Sequence, residues 1–159
     1  MIAIVGATGY IGRYLCPYLK RKGYEILALG RSKRVQQFFI EHDVPFLHFD
    51  ITDEKSYLSL AQYPITEIVN LSACLAEHET SVEDFFKVNT IGTYKLLKYC
   101  KEHNIKRFVI TSSHKVYNDI DNCESISEDV PVSFKGDHSP YIISKIAAEN
   151  FVTYYHKDY

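Results

Sequence analysis

The sequence predicts an α/β fold built on a doubly wound parallel sheet. Short apolar runs of strand length alternate with amphipathic stretches of helical period along all 159 residues, and the first strand runs straight into a glycine-rich turn that opens a helix. Strands separated by helices imply right-handed crossovers and parallel pairing. The length is that of one domain, residues 1–159, able to bury roughly two-thirds of its unfolded surface.

Each element follows from local chemistry. Ile2–Val5 reads as strand one, and an amphipathic helix near Ile11–Lys22 ends at Gly23. Glu25–Leu29 is the second strand, with a helix near Val35–His42. Pro45 precedes a short strand at Phe46–Phe49, and a helix near Glu54–Gln62 follows, with Asp53 available as its N-cap. Glu67–Leu71 reads as strand four. Ser81 is an N-cap for a long helix through Glu102, and Asp84 stands three residues on, as in a capping box. Arg107–Thr111 is strand five. Glycine, proline, serine and aspartate then crowd an irregular stretch up to Pro140, long enough to carry function, and a last helix follows.

Composition excludes several classes. With 46% hydrophobic and 24% charged residues the chain reads as globular, and a net charge of -2 offers no electrostatic case for nucleic acid or an anionic membrane. No apolar run approaches a membrane span, and a strand beginning at residue 2 leaves no room for a signal peptide. Cys16, Cys74, Cys100 and Cys123 have no metal-ligand spacing, and the first three lie in apolar patterns that predict buried thiols. Reduced cysteines and a cytoplasmic home are the expectation. The 13 tyrosines read mainly as packing residues with a wet hydroxyl.

The turn Gly6-Ala-Thr-Gly9-Tyr-Ile-Gly12 has the spacing of a dinucleotide-binding turn. Gly6 lets the chain turn off the strand, Gly9 clears a path for a pyrophosphate, and Gly12 lets the helix pack close to the sheet. The first helical amides, at the positive end of the helix dipole, then face the phosphates. Strand two ends Leu29-Gly30-Arg31-Ser32, with Gly30 where an acidic residue would accept the ribose hydroxyls of NAD. A guanidinium pairs bidentately with phosphate, so Arg31 favours NADP, with NAD the alternative and a solvated basic helix start the bland reading. Asp50 is placed to accept a hydrogen bond from an adenine amino group.

Tyr141 and Lys145 are four apart at the start of the last helix and share a face. An ammonium beside a phenol favours the phenolate and makes it usable as a general acid or base. Tyr18/Lys22 and Tyr94/Lys98 have the same spacing in ordinary amphipathic helices. Tyr141 differs in context: it follows Pro140 and a long loop from Thr111-Ser112-Ser113, at the strand edge where open α/β sheets bind ligands.

Together these residues resemble the extended short-chain dehydrogenase/reductase family, in its NAD(P)-dependent sugar-nucleotide epimerase/dehydratase branch. The glycine turn, Phe49-Asp50-Ile51, Val69-Asn-Leu-Ser-Ala73, Asn89-Thr-Ile-Gly-Thr93, Ser112-Ser113 through Val116-Tyr117, and Ser139-Pro-Tyr-Ile-Ile-Ser-Lys145 occur in family order across the whole chain. The resemblance implies a Rossmann-like sheet of about five strands, truncated relative to the family, with the C-terminal substrate domain absent. It makes Tyr141 the acid/base, Lys145 its partner and holder of the nicotinamide ribose, and Ser113 the hydrogen-bond donor to the reacting oxygen. Asn89 would fix helix backbone and water beside the lysine. The cofactor would further meet Thr8, Tyr10 and Ile11 of the turn, Ser32, Ile51, Ser112, and a lining of Leu71, Ser72 and Ala73.

The 4,6-dehydratases of that family carry Asp-Glu just after the residue equivalent to Ser113, where this chain has His114 and Lys115. Elimination of water by that route is therefore not expected. His114 reads as a proton carrier or as an exposed loop residue. The resemblance thus implies the cofactor-binding portion of a sugar-nucleotide epimerase or reductase, a homodimer through helices 82–102 and 141–156. The alternative is a non-catalytic NAD(P)-binding sensor or interaction module.

Overall fold

Alternating apolar residues of the first strand point to opposite faces and seed two cores in the computed structural model, which describes residues 1–75, 80–117, 127–132 and 138–158. Strand β1 (Ile2–Val5) lies at the centre of a five-stranded sheet with β2 (Ile26–Gly30), β3 (Phe46–His48), β4 (Glu67–Asn70) and β5 (Arg107–Ile110), in the order β3-β2-β1-β4-β5. All pairings are parallel: Ile2 lies opposite Ile26 on one side and Glu67 on the other, Ala28 opposite Phe46, and Glu67 opposite Arg107.

Helices cover both faces. Ala3, Val5, Leu27, Leu29 and Ile68 pack beneath Leu60, Leu96, Tyr99 and Cys100, the last three from α5 (Thr93–Glu102). Ile4, Ile26 and Ala28 pack on the opposite side against Cys16 of α1 (Tyr10–Arg21) and Phe39 of α2 (Gln36–Glu41). Asp53 caps α3 (Glu54–Leu58) by accepting from the Lys55 amide. The Ser81/Asp84 capping box at α4 (Val82–Phe85) is formed in full. The last helix, α6 (Pro140–Asp158), packs along α5 and, through Ile142 and Ile146, on Val116.

The order reverses between β1 and β4, so the crevice beyond their carboxyl ends is the topological switch point where such sheets bind ligands.

Two sequence expectations need correction. The long helix through Glu102 is not uniformly α-helical: a π-helical stretch, Phe86–Gly92, separates α4 from α5. Cys16 and Cys100 are buried as expected, but Cys74 is only half-buried because it lies on the loop beyond β4. Most described tyrosines are buried or half-buried as expected, while Tyr10, Tyr14, Tyr18, Tyr24 and Tyr154 are largely exposed. Cys123 and much of the stretch between Tyr117 and His138 lie outside the described residues.

No described helix is long and apolar enough to cross a membrane.

Candidate functional site

The glycine turn places a bare helix end in the switch-point crevice. Gly6 has φ +78, and a Cβ there would meet the Ser72 amide nitrogen at 2.7 Å, so both conformation and space demand glycine. A Cβ on Gly12 would lie 2.5 Å from Ala7 backbone, so its absence lets α1 close onto the turn itself rather than onto a strand, as the sequence had implied. Gly9 differs. It sits at φ -75, and an added Cβ would meet only the Gly6 carbonyl, at 3.3 Å. The backbone conformation does not require glycine there, and the Gly6 carbonyl would have to give by only a few tenths of an ångström. Gly9 is also the N-cap of α1, with no side-chain cap and no acidic residue in the first turn. The positive end of the helix is left open to an anion.

Four strand ends converge on the crevice, a cleft of about 200 Å³. The turn contributes Gly6, Thr8 and Gly9; β2 contributes Gly30 and Arg31; Phe49 and Ile51 come from beyond β3; Leu71, Ser72 and Ala73 come from beyond β4. Val88 closes it from the π-helical stretch. Of these, Val88 lacked any sequence signal that separated it from core residues, and Phe49 was marked only as part of the quoted Phe49-Asp50-Ile51 motif. Tyr10 and Ile11 lie outside the lining, with side chains 74% and 54% exposed, so only their backbone amides serve the helix end. Ser32 begins a 3-10 turn, Lys33–Val35, and also falls outside the lining.

Polar contacts hold this cleft in shape. Buried Asn70 accepts from both the amide and hydroxyl of Ser72, at 3.1 and 2.5 Å, and donates to Thr93 Oγ1. Asp50 Oδ1 accepts from the amide and hydroxyl of Thr52, each at 2.8 Å. Burial opposes ionisation of Asp50, but the Thr52 hydrogen bonds and the Arg31 and Lys87 charges outweigh it and hold the carboxyl below its usual range. It is an acceptor at neutral pH, with Oδ1 engaged by Thr52.

A second cluster ties α6 to the strand ends. Asn89 is buried in the π-helical stretch: its Oδ1 accepts from the Cys74 amide at 2.7 Å, and its Nδ2 donates to the Cys74 carbonyl and to Ser144 Oγ. Thr90 donates to the Ser144 carbonyl, and Ser144 to that of Tyr141. The extra residue of a π turn brings Asn89 and Thr90 onto the buried face together. Asn89 therefore fixes a loop and a neighbouring helix, where the resemblance had implied helix backbone and water.

Lys145 is fully buried and donates to the Thr111 carbonyl at 2.7 Å, at the end of β5. Burial lowers the pKa of its ammonium, partly countered by the charge of Glu149. Tyr141, one turn earlier, is half-buried against the segment after Ser113 and meets the edge of Phe85 with ring centroids 6.0 Å apart. Ser113 is half-buried and its hydroxyl accepts from the Lys115 amide. Ser112 is exposed and donates to Glu149. His114 and Lys115 are exposed in the 3-10 turn His114–Tyr117. Sequence reasoning gave no role to Asn70, Thr90, Ser144 or Glu149, although all but Glu149 lay inside a quoted motif.

A family model, the NAD dependent epimerase/dehydratase family, matches residues 2–159. The chain belongs to this family. Among curated relatives, the UDP-glucose 4-epimerase of Bacillus subtilis is 27% identical over 165 residues, covering 95% of this chain and 46% of its own length. The bifunctional protein GAL10 of Pachysolen tannophilus is 27% identical over 164 residues, covering 95% of this chain and 23% of its own. The crystal structure of the Thermus thermophilus UDP-glucose 4-epimerase in complex with NAD superposes with a TM-score of 0.83 at 27% identity, across 99% of this chain and 51% of that one. The chain thus spans about half the length, or less, of these epimerase-family relatives. Its NAD-dependent family agrees with the open helix end and the cleft around it.

Proposed function

We propose that this chain is the cofactor-binding part of an NAD(P)-dependent sugar-nucleotide epimerase or reductase. The observation that carries the reading is Gly9: the chain keeps glycine, an uncapped helix N-terminus and no first-turn acid at one point of the cleft, although its φ of -75 does not call for glycine. A pyrophosphate accounts for all three. The family, and similarity to an epimerase bound to NAD, support it.

Gly6, Gly9 and Gly12 hold the pyrophosphate turn, with the amides of Tyr10 and Ile11. Asp50 accepts from the adenine amino group and Ile51 and Leu71–Ala73 line the cofactor. Arg31, with Ser32 beside it, receives a 2′-phosphate, which makes NADP the preferred form. When bound, the nicotinamide supplies the hydride acceptor. The Tyr141 phenolate takes the proton of the sugar hydroxyl, and the Lys145 ammonium stabilises that phenolate and holds the ribose. Ser113 donates to the oxygen on which charge develops, with Ser112 beside it. Asn89 holds the loop and helix that flank the site. Elimination of water is not part of the proposal, because His114 and Lys115 stand where the dehydratase acid–base pair would be. The helical faces 82–102 and 141–156, which expose Ile91 and Tyr154, would pair two copies.

Fluorescence titration with NADPH and NADH tests the reading. Saturable binding, at least tenfold tighter for NADPH and levelled by Arg31→Ala, is the expected result. Equal binding of both removes the NADP preference, and binding of neither overturns the cofactor site. A Tyr141→Phe variant that keeps turnover of a UDP-hexose within a few-fold of wild type overturns the acid–base role.

A further inference from the structure

The end of β5 is gripped by α6 at two successive residues. Lys145 Nζ donates to the Thr111 carbonyl at 2.7 Å, and the Ser112 hydroxyl donates to the Glu149 carboxylate. Lys145 and Glu149 are one helical turn apart and share a face, so the two contacts form one patch. The next residue is Ser113, whose hydroxyl already accepts from the Lys115 amide as the chain turns. β5 has β4 as its only partner among the described strands, so on its other side the sheet does not hold this strand end.

We propose that Glu149 is a positioning residue: together with Lys145 it clips Thr111-Ser112 onto α6 and thereby sets where Ser113 stands. The inference rests on the reading of Ser113 and Lys145 given above. Glu149 serves both legs of the clip. Its carboxylate accepts from Ser112, and its charge opposes the effect of burial on the Lys145 ammonium. Hydrogen bonds in which one partner is ionised are short and directional, which suits a joint that must hold one geometry. The side chains that the π-helical stretch turns towards α6 here, Asn89 and Thr90, are neutral. His114 and Lys115, beyond β5, are exposed. Tyr141 is the other titratable group on this part of α6.

The test separates charge from geometry in the full chain without cofactor. The titration midpoint of Lys145 is read by NMR from its Cε resonance in protein carrying ¹³C-labelled lysine, with assignment by Lys145→Arg, and the Ser113 amide resonance is followed in parallel. Glu149→Gln is expected to lower the Lys145 midpoint while leaving the Ser113 resonance near its wild-type position, because the amide oxygen still accepts from Ser112. Glu149→Ala, which removes the acceptor for the Ser112 hydroxyl, is expected both to lower the Lys145 midpoint and to displace the Ser113 resonance. An unchanged Ser113 resonance in Glu149→Ala overturns the proposal, as does a Ser113 resonance displaced as far in Glu149→Gln as in Glu149→Ala. Neither readout needs a cofactor, so failure of wild type to bind NADPH or NADH would count against the proposed function alone.

Discussion

Thr8 occupies the space that a side chain at residue 30 would fill: a Cβ added to Gly30 would fall on Thr8 Cγ2. The absence of an acid at the end of β2 is therefore matched by a bulkier neighbour in the glycine turn. Gly30→Asp, the change that would build an NAD-type ribose acceptor, is expected to destabilise by about 1–3 kcal/mol through overpacking. Adding Thr8→Ala should recover most of that loss. Urea denaturation of the single and double variants reads the coupling, and simple additivity would mean the two residues do not share this space.

The glycines of the turn should separate by experiment. Gly12→Ala places a methyl 2.5 Å from Ala7 backbone and is expected to cost about 1–3 kcal/mol or more of stability. Gly9→Ala should stay within about 1 kcal/mol, since its φ of -75 suits alanine. The same change should weaken dinucleotide binding at least tenfold. A Gly9→Ala variant that binds as wild type would remove the argument for a close pyrophosphate.

Asn89 holds two segments with one amide group. Asn89→Leu keeps the volume roughly but removes the hydrogen bonds that Asn89 makes with the half-buried Cys74 amide and carbonyl and with Ser144. The expected loss is about 1–3 kcal/mol, from hydrogen bonds that contribute about 0.5–1.5 kcal/mol each. Cofactor affinity should fall as well, because the loop carrying Ala73 is released. A loss of stability with full cofactor affinity would show that the loop keeps its shape unaided.

Alkaline pH should expose the buried thiols. Burial pushes Cys16 and Cys100 up to about 12 from an ordinary 9.0. Above pH 9 the unfolded chain loses these protons while the folded chain keeps them, so stability falls with rising pH up to about 12. Each thiol contributes a slope of about 1.4 kcal/mol per pH unit in that window. A Cys16→Ala, Cys100→Ala variant should have a flatter profile there, measured by urea unfolding against pH. At pH 8, folded Cys16 and Cys100 should resist a thiol reagent that labels the denatured chain; rapid native labelling of either would contradict their burial.

Much of the fold was legible because its signals are local. Short apolar runs marked all five strands to within about a residue. The Ser81/Asp84 box, the Asp53 cap and the Gly23 stop are hydrogen-bonding and backbone requirements that act over a few neighbouring positions. The break in the long helix was not legible, because the π turn exists to bring Asn89 and Thr90 together against α6, whose Ser144 lies more than fifty residues away. No local propensity distinguishes it from a regular helix.

The amino-acid sequence by itself determined the α/β class, the glycine turn, and the residues that the family resemblance picks out. Those depend on periodicity, backbone freedom and short spacing, which neighbouring residues set among themselves. The tertiary structure decided which of those residues meet. It brought Gly30 under Thr8, placed Val88 over the cleft, turned the Tyr10 and Ile11 side chains away from it, and joined Glu149 to Ser112. Such contacts arise from how strands and helices distant in the chain pack at one edge of the sheet, and close packing leaves each position room for only one arrangement.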